Sequence, residues 1–220
     1  MPVSFTYSYS KKGGSILGGW ERFNQITTWM IRLAYLNILW LLFTIAGLLL
    51  FGLFPATGAM FSVVRNWFID KHDVSIWTAF WTFYRRNFIK LNGFSLLFFG
   101  FVFFLYYDFS FIQLNPGKVD FLFPILMLIT LMFTLTSVYF FPTYVHFELK
   151  YFQYIKQSFL IAVVSPLETI SIILSIASLY FIVTLLPGII PLFTGSVLAS
   201  IITWLSFRAF ERIKQKQHAR

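Results

Sequence analysis

Cysteine is absent from the 220-residue chain, which excludes disulfides, thiol nucleophiles and thiolate metal sites. Charge is scarce too: 11% of the residues are charged, where a soluble domain carries about a quarter. The three histidines, His72, His146 and His218, are far apart and have no acidic partners at metal-ligand spacing. No nucleophile–base or acid–base pair is recognisable. The sequence therefore predicts a protein that is not an enzyme and has no metal site and no cofactor.

Apolar side chains dominate what remains. Of the residues, 58% are hydrophobic and 22% are aromatic, including 30 phenylalanines. The segment 33–54 carries no charge. As a helix with a rise of ~1.5 Å per residue, it would be about 33 Å long, roughly the thickness of a bilayer's hydrocarbon core. We therefore predict an all-α, polytopic membrane protein that forms a single domain, 1–220, in contact with the lipid bilayer.

Five largely uncharged segments are predicted to span the membrane. They are 33–54, 91–112, 121–145, 167–186 and 192–210. The last two belong to a run, 169–207, that has no charge and is too long for one span, so the segment Pro187–Pro191 must turn the chain. Residues 1–31 would form an N-terminal juxtamembrane segment, and residues 211–220 a basic tail.

Two amphipathic segments, 75–92 and 146–164, are predicted to lie at the membrane interface. In the first, aromatic residues follow helical spacing, and Arg85, Arg86 and Lys90 lie mainly on the other side. These cations could contact anionic lipid headgroups, which the net charge of +9 favours, or acidic groups of a protein partner. Nucleic acid is not expected as a partner, because the basic residues form no continuous patch.

A helix cap is predicted at the start of the fourth span. Ser165, Pro166 and Glu168 fit a capping box, with the serine as N-cap, the proline at the first helical position and the glutamate bonding back to the N-cap amide. The alternative is that Glu168 binds a proton or a substrate.

The distribution of lysine and arginine predicts the topology. Most of these residues lie in 55–90, in 146–166 and at the C-terminus, so that side is predicted to be cytoplasmic. Five spans would then place the N-terminus outside. If the short segment 56–69 is instead half of a membrane hairpin, the N-terminus lies inside.

A weak internal duplication is visible. The first span ends in Phe54–Thr57 and the third in Phe141–Thr143, and each is followed by an amphipathic segment and another span. Duplicated units of this kind occur in transporters. Chance similarity between short aromatic segments is the alternative.

Hydroxyl residues recur at helical spacing in three spans. They are Thr130, Thr134 and Ser137; Ser171, Ser175 and Ser178; and Ser196, Ser200 and Thr203. Close packing between helices accounts for such rows. A polar path for a hydroxylated solute, such as a sugar, is the alternative.

The segments 36–40 (LNILW) and 54–60 (FPATGAM), followed later by VYFFPTYVHFELKYF, resemble the YesL-like family of bacterial membrane proteins. The residues that carry this structural motif are Asn37, Trp40, Pro55, Thr57, Pro142 and Glu148. The resemblance implies a location in the bacterial plasma membrane. It also implies a role beside carbohydrate ABC importers, since members resemble accessory products of carbohydrate-uptake loci.

The resemblance favours a non-catalytic auxiliary subunit that packs against the permease subunits of an oligosaccharide ABC importer. The sequence has no recognisable ATPase-docking loop of a standard permease and no Walker A motif. A stand-alone small-solute transporter is the alternative. In either case the C-terminus is expected in the cytoplasm.

Overall fold

The computed structural model describes residues 17–69, 75–185, 188 and 190–218. These residues contain no β-strand, which confirms the all-α prediction. The helices are α1 (Leu17–Ala46), α2 (Leu50–Phe68), α3 (Ile76–Leu114), α4 (Leu122–His146), α5 (Gln153–Val164), α6 (Pro166–Leu185) and α7 (Ile190–His218). Five of them, α1, α3, α4, α6 and α7, are long and apolar enough to cross a membrane. The chain is therefore a multi-pass membrane protein.

The prediction of one span over residues 33–54 is wrong, because the chain turns back inside this segment. α1 ends at Ala46, and α2 begins at Leu50 and runs antiparallel to it. A hydrogen bond from Trp40 Nε1 to Thr57 Oγ1, 3.0 Å long, joins the two helices. An uncharged apolar run satisfies a bilayer equally well as one helix or as two paired helices, so hydropathy alone did not separate them.

The turn between α1 and α2 is tight. Leu48 and Leu49 both have positive φ angles, 56° and 63°, which cost an L-residue conformational energy. α1 and α2 are in close contact immediately next to this turn, where a side chain on Gly52 would meet the backbone of Phe43 and Thr44. Small residues allow this approach, and the packing that follows holds the strained turn in place.

α2 is the central helix of the bundle. It packs against α1, α3, α4 and α7, and more than half of its residues are buried. Ala56, Gly58 and Ala59 provide the small surface that lets the neighbouring helices approach. A leucine of α3, Leu91, fills the space next to Gly58.

The predicted interfacial segment 75–92 and the predicted span 91–112 form one continuous helix, α3. No proline interrupts the sequence between them, so the helix continues from the amphipathic part into the apolar part. α3 runs antiparallel to α4, and the rings of Phe101 and Phe133 lie 4.8 Å apart between them.

The second half of the chain follows the prediction more closely. α4 and α6 occupy the ranges expected for the third and fourth spans, while the amphipathic segment 146–164 is helical only from Gln153. α7 extends through most of the predicted basic tail. Residues 1–16 of the N-terminal segment, residues 187 and 189 of the predicted turn Pro187–Pro191, and residues 219–220 lie outside the described residues. The internal duplication stays a prediction.

The C-terminal ends of α2, α4 and α7 lie together at one end of the bundle, which we call the basic end. Here the ring of His146 lies 5.0 Å from that of Phe207. The N-terminal part of α1 reaches the same end, since the rings of Trp29 and Trp67 lie 5.5 Å apart. The opposite end carries the loop between α3 and α4, where Lys118 is the single basic residue among those described.

Both described chain ends therefore lie at the basic end. The predicted placement of the N-terminus opposite the C-terminus does not hold for the described chain ends, because α2 runs back toward the basic end. The hairpin alternative for residues 56–69 accounts for this arrangement.

Candidate functional site

A cavity of about 820 Å³ opens at the basic end, between α2, the N-terminal half of α3, the end of α4 and the irregular segment 147–150 after it. We call it the basic cavity. Its charged and polar lining includes Arg65, Asn66, Arg86, Asn87, Lys90, Tyr144, His146, Glu148 and Tyr154. Three of these residues are permanent cations, and Glu148 is the one carboxylate among the described lining residues. The cavity is therefore suited to an anion.

Lys90 is held in the cavity wall by aromatic rings. Its Nζ atom lies 5.1 Å from the ring centre of Tyr144 and 4.7 Å from that of Tyr154. Both rings are fixed in turn. The Tyr144 hydroxyl donates to Asn87 Oδ1 at 2.9 Å, and the Tyr154 hydroxyl donates to the carbonyl of Phe147. Cation–π contacts orient the ammonium group, and its three N–H donors have no carboxylate partner among the described residues.

Arg65 lies one turn before the end of α2 and is partly buried. Its Nε atom is buried and has no hydrogen-bond partner among the described residues. None of the cations Arg65, Arg86 and Lys90 forms an ion pair with a carboxylate of the described residues. Because a partly buried guanidinium is costly without a counter-charge, an anion next to Arg65 would be stabilised.

Sequence reasoning found two of the three cations. Arg86 and Lys90 line the basic cavity, while Arg85 lies on the adjoining outer surface beside Trp81. Glu148, which the family resemblance singled out, is exposed and borders the cavity. Arg65 was missed, although a lone charge at the end of an apolar segment was a usable signal.

Asn37 joins α1 to α7. It is fully buried, and its Oδ1 atom accepts a 3.1 Å hydrogen bond from the backbone N–H of Ser196. The helices approach closely here, because a side chain on Gly195 would meet Asn37 Oδ1 at 2.8 Å. A buried side-chain acceptor of this kind specifies how two helices dock.

The other residues of the family motif also lie in helix contacts. Thr57, which accepts the Trp40 hydrogen bond, donates to the carbonyl of Leu53 in its own helix. Pro55 and Pro142 are buried inside α2 and α4. The motif thus maps to the packing of the bundle, and Glu148 is its one member at the cavity.

The predicted capping box at the start of α6 is not formed. Pro166 is the first helical residue, as expected, but Ser165 Oγ is buried without a hydrogen-bond partner. Glu168 instead pairs with Arg212 of α7 through a 2.9 Å contact between Oε1 and a guanidinium nitrogen. The carboxylate turns toward α7 because a charged guanidinium group is a stronger partner than a neutral backbone amide.

This ion pair is buried unequally, which predicts unequal effects of mutation. The Glu168 side chain is 6% exposed and that of Arg212 48%. Arg212→Gln leaves a buried carboxylate without its counter-ion and should lower the free energy of unfolding by ~2 kcal/mol, after allowance for the exposed arginine. Glu168→Gln keeps a hydrogen-bond acceptor and should cost about 1 kcal/mol. Thermal unfolding of the detergent-purified protein measures both.

The matched control is Arg208→Gln, because Arg208 is exposed and packs over the ring of Trp204, 3.9 Å from its centre. Its substitution should change the unfolding temperature less than that of Arg212. Equal effects at the two arginines would show that the pair with Glu168 contributes nothing specific.

The hydroxyl rows form no continuous polar path among the described residues. Thr134, Ser175 and Ser200 each donate to the carbonyl four residues earlier in their own helix. Ser137 does the same and also borders a second cavity, described below. Serine and threonine satisfied in this way are compatible with an apolar surrounding.

The described helices and the basic cavity define a polytopic helical membrane protein with a cation-lined cavity at one end. A family model described as "Protein of unknown function, DUF624" matches residues 33–109. Uncharacterized protein YesL of Bacillus subtilis (strain 168) is 34% identical over 194 residues, 88% of this chain and 92% of that protein.

Two further proteins of the same organism are similar over most of their length. Uncharacterized protein YesV is 30% identical over 190 residues, which are 86% of this chain and 91% of YesV. Uncharacterized protein YteU is 33% identical over 184 residues, 83% of this chain and 82% of YteU. The chain therefore belongs to the YesL-like DUF624 family. No solved structure matches it.

Proposed function

We propose that this protein is a non-catalytic auxiliary membrane subunit of a bacterial carbohydrate ABC importer. It would lie in the plasma membrane and pack against the permease subunits. The choice of importer rests on the family resemblance seen in the sequence. The observation that carries an association with other membrane helices is the exposed outer part of the α3–α4 hairpin.

The outer part of this hairpin extends past α2, α5 and the rest of the bundle, which cover only its inner part. Nearer the centre, Phe98 contacts Phe54 of α2. Farther out, the ring contacts of the described residues join α3 only to α4, as between Phe109 and Phe123. Large apolar and aromatic side chains here are exposed, including Phe103 at 70%.

Lipid can cover such a surface, but aromatic side chains are also the residues that anchor protein interfaces. Within a bilayer, helices associate through shape and van der Waals contact. The aromatic hairpin offers long side chains of this kind on two adjacent helices. We therefore assign it as the contact with the permease helices.

Co-purification from native membranes tests the proposal. A photo-crosslinking residue placed at Phe103 should yield a stoichiometric adduct with a permease chain. The matched control is the same residue at Phe181 of α6, which is 64% exposed on another helix. Recovery of this chain alone, with no adduct at either position, contradicts the association.

The sidedness of the bundle gives a separate prediction. If the basic end faces the cytoplasm, single cysteines at Glu21 and Gln215 should resist an impermeant thiol reagent in intact cells, and one at Gly117 should react. The chain has no cysteine of its own, so each variant carries one thiol. Labelling at Glu21 without labelling at Gln215 would restore the five-span topology.

A stand-alone small-solute transporter is the second candidate, favoured by a second cavity of about 400 Å³ among α1, α2, α4 and α7. Thr57, Ser137 and Thr194 contribute hydroxyl groups to its lining, and Thr194 Oγ1 is buried without a partner. The rings of Phe61 and Phe141, stacked 5.6 Å apart, also border this cavity. Solute uptake by the purified protein alone in liposomes would support this candidate over the subunit.

A further inference from the structure

We infer that the basic cavity is a binding site for a phosphate ester, held by Arg65, Arg86 and Lys90. This site is independent of the importer association proposed above. The outer hairpin carries that association, and the cavity lies around the ends of α2 and α4.

The balance of charge points to an anion. Three cations line the cavity, while Glu148, its one carboxylate among the described residues, is exposed and pairs with none of them. Surface cations usually project into water, where they gain little from a bound anion. Arg65 differs because its Nε atom is buried and has no hydrogen-bond partner in the part of the chain that the structure describes. An anion in the cavity would supply the missing acceptor.

The site is also preorganised. Lys90 is fixed between the rings of Tyr144 and Tyr154, 5.1 and 4.7 Å from their centres. Asn87 is fixed at both ends of its amide: Oδ1 accepts from Tyr144, and Nδ2 donates to the carbonyl of Phe83 at 3.1 Å. A lysine that needs no rearrangement loses little conformational entropy when an anion binds.

The size and the lining select the class of anion. Arginine forks suit the several oxygens of a phosphate, and lysine adds a point charge. The cavity, at about 820 Å³, has room for more than a bare phosphate ion. Aromatic and apolar side chains such as Phe83 and Leu149 supply walls for the esterified part. Both a lipid headgroup and a soluble phosphate ester have this chemistry.

A binding titration on the full, delipidated chain in a neutral detergent tests the site. The probes are phosphatidylglycerol, soluble glycerol 3-phosphate and, as the reference without phosphate, diacylglycerol. We expect a phosphate-bearing probe to bind and diacylglycerol not to bind. Binding of phosphatidylglycerol alone identifies a lipid headgroup, and binding of glycerol 3-phosphate identifies a soluble ester.

Arg65→Gln and Lys90→Gln should each weaken binding about tenfold, the effect of one charge-assisted hydrogen bond. Arg85→Gln is the matched control, since it removes the same charge from the same helix as Lys90 but outside the cavity. Arg65→Lys keeps the charge and tests the site if Arg65→Gln does not fold. If Arg85→Gln weakens binding of the probe equally, the cations act by general surface attraction, and the assignment is overturned. Absence of binding by either phosphate probe would do the same.

Discussion

Gly52→Ala should lower the free energy of unfolding by about 3 kcal/mol, although alanine normally stabilises a helix relative to glycine. A Cβ atom at this position would lie 2.6 Å from the carbonyl oxygen of Phe43 and 2.8 Å from the Cα atom of Thr44. Both are backbone atoms of α1, so no rotamer change relieves the clash. The hairpin must open, and the contacts of α2 with its neighbours would loosen with it.

The control is Gly100→Ala on α3, where an added Cβ meets nothing within 4 Å. There the substitution should leave stability unchanged or raise it by up to ~1 kcal/mol, through helix propensity alone. In thermal unfolding in detergent, Gly52→Ala should therefore lower the unfolding temperature by roughly 10 °C, whereas Gly100→Ala should leave it unchanged or raise it. A gain at both glycines would mean that α1 and α2 do not close on each other as described.

The same hairpin shows where sequence reasoning stops. Hydropathy identified the membrane segments well in the second half of the chain, where Pro166 marks the beginning of α6. In 33–54 the glycines Gly47 and Gly52 were present, but glycine is common inside membrane helices and does not by itself indicate a turn. Only the pairing of α1 with α2 decides between a span and a hairpin. Such pairing is a tertiary interaction, which hydropathy does not show.

Only part of the basic cavity could be predicted from the sequence, for a similar reason. The amphipathic pattern correctly separated Arg86 and Lys90 from the aromatic face of α3. Their neighbours Arg65 and His146 come from other helices, 21 or more positions from Arg86 in the chain, and no local pattern relates them. The Glu168 prediction failed for the same physical reason, because a distant arginine competed with the local backbone amide.

Phe140→Ala should have the other large effect. Phe140 of α4 is fully buried and is the centre of an aromatic cluster. Its ring contacts those of Phe54, Phe94, Phe98, Phe141 and Tyr144, at centroid distances from 4.9 to 6.3 Å. These rings come from α2, α3 and α4, so one side chain links the central helix α2 to the α3–α4 hairpin.

In a membrane the cost of this substitution arises mainly from lost contacts, since lipid is as apolar as the protein interior. The cavity that remains would lack van der Waals partners on all sides, and we expect a loss of about 3 kcal/mol, or roughly 10 °C in thermal unfolding. Phe103→Ala removes the same atoms from an exposed position on the outer hairpin and should leave the unfolding temperature nearly unchanged. If the α3–α4 hairpin binds permease helices, Phe103→Ala should nevertheless reduce co-purification of the permease. Equal unfolding temperatures for the two alanine variants would show that the aromatic cluster does not hold the bundle together.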